Sequence, residues 1–197
     1  MTGGTARKAI LLVLLGTIAA FGAFDSGMAS ATGGSCPNAD TNVADLPLPD
    51  FDLSVLCVIN ERRAEHQLRP LQQNGLLHDA AYIYATSMLS GQFYGHHGCL
   101  AGRNNCSTVI GRLRFLGYIQ PGWAWIVGEV LRGAGPDTST PDAVVEAWME
   151  SPPHRARVLK PKFREVGVAS VHGITDAFPS TAGVTAAAEF GFRKRNG

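Results

Sequence analysis

Stretches with apolar residues at helical spacing come early in this chain, and runs rich in β-branched and aromatic residues come mostly late. That order constrains the fold more than any single motif. Alternating strands and helices would build a parallel sheet, whereas segregated ones build an antiparallel sheet with helices packed on it. From a cap at Asp52 or Ser54 to about Gln67, the residues Leu53, Leu56, Cys57, Asn60 and Ala64 recur at helical intervals, and Val55 and Ile59 widen the stripe. Glu61, Arg62, Arg63 and Glu65 are expected to face water, and Pro70 ends the element. Beyond the Asn74-Gly75 turn, a second helix from Leu76 to about Gly91 carries Leu77, Ala81, Tyr84, Ala85 and Met88 on one face. Ser107 or Thr108 caps a third, Val109–Leu116. A fourth has Pro141 in its first turn, runs Ala143–Glu150 and stops at Pro152-Pro153, with a short helical turn following to Leu159. Strands are predicted at Trp123–Arg132, Glu165–His172 and Val184–Phe192, with a loop at 133–141. The fold class is therefore α+β with an antiparallel sheet.

The first 31 residues lie outside that pattern. Arg7 and Lys8 precede an apolar run, Ala9–Phe24, and Ala29-Ser30-Ala31 follows. A basic region, a short apolar region and an A-x-A site make an export signal, cleaved after Ala31. The run of 16 residues falls short of the roughly 20 that span a bilayer; an uncleaved anchor is the alternative. Cys36 is not expected to carry a lipid, because no aliphatic residue stands three positions before it. Residues 32–51, rich in Gly, Pro, Asn and Asp, read as an irregular arm, and 52–193 as the folded domain.

Charge excludes one class of partner. Removing Arg7, Lys8 and Asp25 from 17 basic and 16 acidic residues leaves a formal charge of zero. No basic excess remains to hold nucleic acid by counterion release. All four cysteines survive cleavage, and an even count in an exported chain points to disulfides. Three connectivities are open. Cys36–Cys57 with Cys99–Cys106 is preferred, because each pair closes a local loop. A zinc site of four cysteines fits poorly, since no C-x-x-C pair is present.

Several stretches, in order and spacing, resemble the CAP superfamily: cysteine-rich secretory proteins, antigen-5 proteins and pathogenesis-related plant proteins, and more closely its secreted bacterial branch. They are Ile59-Asn60-Glu61-Arg62-Arg63 with Leu68, Pro70 and Leu71; Ala80, Ala81, Ala85 and Met88; Phe93-Tyr94-Gly95-His96; Arg112 with Gly117-Tyr118; Gly128-Glu129; Trp148 running into Ser151-Pro152-Pro153-His154-Arg155; and Phe163 with Glu165, Val166, Gly167 and Val168. The resemblance implies a three-layer α-β-α sandwich with a surface cleft lined by histidines and acidic residues. Some members hold a divalent metal there, and others bind sterols or other lipids. No reaction is common to the family, so the fold alone does not name a function.

On that resemblance His96, Glu129 and His154 are the cleft candidates. Neutral imidazole ligates metal or moves protons near neutral pH. A carboxylate inside an apolar strand, as at Glu129, needs a partner. Two prolines give His154 a rigid approach. His97, Glu150 and Arg155 are weaker binding candidates, Glu150 because a solvated helix face is the favoured explanation of it. Ser151 lacks the G-x-S-x-G setting of a hydrolase nucleophile. Trp123, Trp125 and Trp148 are assigned to the core. Three departures from the family pattern stand out: Val130 in place of Asn, Pro153 in place of Gly, and Ala187-Ala188 in place of Thr-Gln. The second cleft histidine of animal and plant members is missing.

The leading functional expectation is a secreted, monomeric ligand- or metal-binding module of the cell envelope or extracellular space. His96 and His154, with Glu129, would hold a divalent metal such as zinc, and the ligand would be a cell-wall or lipid component. A second expectation is an extracellular hydrolase of peptidoglycan or protein with Glu129 as general base. A third is a structural interaction domain without chemistry.

Overall fold

The computed structural model describes Met1 and residues 36–97, 108–174 and 180–196. The cleavage site after Ala31 and the Cys99–Cys106 pair lie outside the described residues. Among those described, no helix is long and apolar enough to cross a membrane.

The architecture is α+β in three layers, as the family resemblance implied. Five helices, α1 (Leu48–Glu65), α2 (Gly75–Gly91), α3 (Val109–Phe115), α4 (Pro141–Glu150) and α5 (Pro152–Val158), surround one sheet. Its strands are β1 (Gln72–Gln73), β2 (Trp123–Ala134), β3 (Glu165–Ile174) and β4 (Ser180–Arg195), in the order β1-β3-β4-β2. The three long strands pair antiparallel. The two-residue β1 adds to β3 in parallel, making the sheet mixed. Nothing in Gln72-Gln73 signals a strand; its place comes from the backbone bonds Gln72 N–H to Arg164 O and Asn74 N–H to Val166 O, 2.9 Å each.

Period-two alternation sorts the strand side chains between two helical layers. Val130, Val168, Ala186, Ala188 and Phe190 meet α1, α4 and α5 on one face, with Phe51, Val55, Val58, Trp148 and Val158. Leu131, Ala169 and Ala187 meet Ala81, Tyr84, Ala85 and Met88 of α2 on the other. Ala187 and Ala188, the departures in the last strand, are thus fully buried on opposite faces. Gly167 lets α2 come down onto β3: a Cβ there would stand 1.9 Å from the His78 backbone nitrogen.

Asn74 caps α2, its Oδ1 accepting from Leu76 N–H at 3.0 Å and Leu77 N–H at 3.2 Å. The buried face of α2 is the one expected. That of α1 is not. The helix starts at Leu48 behind Pro47, so Asp52 and Ser54 lie inside it and are buried. Leu53 is exposed and Arg63 is fully buried, the reverse of the expectation. Arg63 is stable inside because its guanidinium donates to three carbonyls, Arg69 O (3.0 Å), Val158 O (2.6 Å) and Lys160 O (3.3 Å).

The arm is more ordered than its composition predicts. Cys36 is bonded to Cys57, and Cys36 and Val43 enter the core. A 3-10 turn, Val43–Asp45, is capped by Asn42. β2 and β4 also run further than expected, through Ala134 and from Ser180 to Arg195.

Candidate functional site

β2 is the outer strand of the sheet, and the candidate cleft runs along it. The space is about 410 Å³ and is lined by His96, His97, Val109, Val127, Gly128, Glu129, Pro153, His154 and Arg157. Glu129 projects from β2 to meet Arg112 of α3, while His154 and Arg157 arrive on α5.

Glu129 is the hub. Its Oε1 accepts from His96 Nδ1 at 2.8 Å, and its Oε2 accepts from Arg112 Nη2. The same Nη2 reaches Glu189 Oε1 at 2.7 Å. Arg112 is buried on α3, a helix capped by Thr108. Its guanidinium lies 3.6 Å above the centre of the Tyr84 ring. Tyr84 O–H in turn donates to Gly95 O at 2.5 Å, which fixes the backbone just before His96. A buried chain from α2 and α3 therefore positions a half-exposed imidazole.

Burial raises the Tyr84 phenol to about 12, and the Glu129 charge adds to it. Burial also holds the Glu189 carboxyl well above the usual range, with Glu129 as second cause.

His154 is the third residue of α5. Pro152 and Pro153 fill the first two positions, where no backbone N–H has a helical partner to lose. Its ring centre is 5.9 Å from that of His96, tilted by 57°. Burial lowers its pKa, and His96, Arg157 and Arg132 push it the same way, so the ring is neutral at pH 7.

A family model described as the cysteine-rich secretory protein family, CAP, matches residues 56–178. This chain belongs to the CAP family. The CAP domain superposes on an outer surface protein of Borrelia burgdorferi with a TM-score of 0.58 at 19% identity, covering 76% of this chain and 97% of that one. It superposes on an extracellular SCP-domain protein of Bacillus anthracis with a TM-score of 0.54 at 18% identity, covering 77% of this chain and 44% of that one. At such identities the likeness establishes the fold alone. No functionally curated protein matches the sequence.

Within this CAP domain, His96, Glu129 and His154 share one cleft, and His97 joins its rim. Glu150 and Arg155 do not line it. Glu150 is exposed on α4, and Arg155 sits 3.3 Å from His66 Nε2. Trp148 is core, its indole N–H donating to Leu131 O at 3.0 Å. Trp125 is half-buried and packs against the Leu77, Leu113 and Tyr118 cluster, and with half-buried Trp123 it lines a separate groove beside Arg114 and Ile119. Sequence reasoning gave Arg112 no site role and passed over Tyr84 and Glu189. Glu189 carried the same signal as Glu129, a carboxylate inside an apolar strand.

For a metal, the donor set offers two nitrogens. His96 spends Nδ1 on Glu129 and keeps Nε2; neutral His154 supplies the second. Two imidazoles on a tetrahedral zinc at bond lengths of about 2.0–2.1 Å would have ring centres about 5 Å apart; the pair stands at 5.9 Å, so the rings would have to draw together to share an ion. Both Glu129 oxygens are already engaged. Among the described residues, the one group of three donors within 4.8 Å of one another is Cys36, Cys57 and Glu61, and its sulphurs are bonded to each other.

Proposed function

We propose that this is an exported CAP-domain protein whose cleft binds a divalent cation through His96 and His154. One observation carries the reading: His96 is held by a buried Glu129–Arg112 pair, with the ring of His154 facing it across the cleft at 5.9 Å between ring centres. A carboxylate on the far nitrogen fixes the tautomer and raises the basicity of a ligating imidazole. When bound, the metal supplies a Lewis acid with positions open to an incoming ligand. The chain's own residues orient the imidazoles and shield Glu129 from water. Export is supported by the N-terminal basic-apolar-small pattern and the Cys36–Cys57 bond.

Hydrolysis with Glu129 as general base is the weaker reading. Each of its oxygens already accepts from His96 or Arg112, so a cleft water would have to share an oxygen with one of those donors. Equal release of wall fragments by wild type and Glu129→Gln would remove it.

Zinc calorimetry on the mature protein tests the metal reading. Wild type should bind one zinc, and His96→Ala and His154→Ala should each weaken it by about 10- to 100-fold or more. Glu129→Gln should cost about 10- to 100-fold, as outer-shell partners do. Equal heats in wild type and both histidine variants would overturn it.

A further inference from the structure

Arg157 carries no role in the reading above, yet it lies on the cleft beside His154. Its stem crosses Gly128 together with the ring of Phe163. A Cβ on residue 128 would stand 3.0 Å from Arg157 Cδ and 2.9 Å from Phe163 Cζ. The bare backbone of β2 at Gly128 is thus the bed on which the arginine lies.

The charges around it are unbalanced. Among the described residues, Glu129 is the one carboxylate in the cleft lining, and His96 and Arg112 occupy both of its oxygens. The ion pairs among the described residues engage Arg62, Arg112 and His96 and leave Arg157 without a carboxylate. From those residues the cleft offers a visitor one guanidinium and three imidazoles.

We propose that the cleft takes a ligand bearing a carboxylate or phosphate group, and that Arg157 binds that group beside His96 and His154. A guanidinium presents parallel N–H donors that match either anion in a bidentate fork. The inference rests on the cleft being a ligand site, and it survives if no metal binds there. An anionic group held by Arg157 would also offer oxygen donors, which His96 and His154 lack.

The test uses mature protein stripped of metal and dialysed free of chelator, titrated separately with acetate and with inorganic phosphate. Amide and arginine Nε–H resonances are followed by NMR. Saturable shifts of Gly128 and of the Arg157 side chain are expected. Arg157→Gln, which keeps part of the stem packing, should weaken the anion by about tenfold. Arg157→Lys should retain phosphate better than acetate. Response to one anion alone identifies the ligand class. No saturable shift with either anion, or unchanged affinity in Arg157→Gln, overturns the proposal. Zinc calorimetry on Arg157→Gln separates the two readings, because losing this guanidinium should leave zinc affinity intact or improve it. Anion binding without zinc binding would remove the metal reading alone.

Discussion

Glu129 and Glu189 stand directly opposite each other across the β2–β4 ladder, both buried, with the single guanidinium of Arg112 bonded to both. Two carboxylates and one cation in a dry interior cannot all keep their charge cheaply. Glu189 is the member that gives way. It is fully buried, and its Oε2 meets no donor among the described residues. Glu129 is the partner that Arg112 and His96 share.

A pH dependence follows. The folded pKa of Glu189 lies above its unfolded value, so folding favours the protonated acid. Its contribution is fully present below the unfolded pKa and is lost as pH rises through the folded one. Glu189→Gln keeps the shape without the proton. Its melting temperature should match wild type near pH 4 and exceed it at alkaline pH, by roughly 2–4 °C for each kcal/mol recovered. Parallel melting curves across that range would show Glu189 ionised throughout.

Asp52 should act in the same direction from the other layer. Burial raises its pKa to about 7, opposed in part by the polar groups of neighbouring Ser170. Stability from this site is lost as pH climbs from about 4 through 7, on the order of 4 kcal/mol at the alkaline end. Asp52→Asn should flatten the slope in denaturant melts between pH 5 and 8. The single variants separate it from Glu189.

Arg63 is expected to be the costliest polar residue to remove. Truncation to Ala leaves the carbonyls of Arg69, Val158 and Lys160 without their donor and opens a cavity, at about 2–4 kcal/mol. Because Val158 ends α5, zinc affinity at His154 should fall with it. Urea melts and calorimetry on Arg63→Ala check both, and a variant as stable as wild type would count against the role.

Loss of the Cys36–Cys57 bond releases a loop of sequence separation 21. The chain-entropy model puts the cost at about 3 kcal/mol. Cys57→Ser should lower stability by that order and free the arm, while the cleft keeps its zinc affinity, since neither cysteine lines it. Denaturant melts and zinc calorimetry on the variant check the two halves separately.

Much of this CAP domain was legible in its residues because the signals are local. The buried face of α2 follows from helical spacing alone. The cap at Thr108, Pro141 in the first turn of α4 and the double proline that ends it act within a few residues. Cys36 and Cys57 are close enough in sequence for their pairing to be preferred in advance. What tertiary structure decided is whatever depends on a distant partner. The face of α1 is set by carbonyls near residue 160 that accept from Arg63, so a charge expected in water lies in the core. β1 exists because β3 is there to pair with it. Arg112 becomes the clasp of the site because strand register brings Glu129 opposite Glu189 and α3 carries the guanidinium to both. Spacing along the chain shows which side chains share a face. Which groups meet across the ladder, and how many charges they must share, is fixed when the sheet closes.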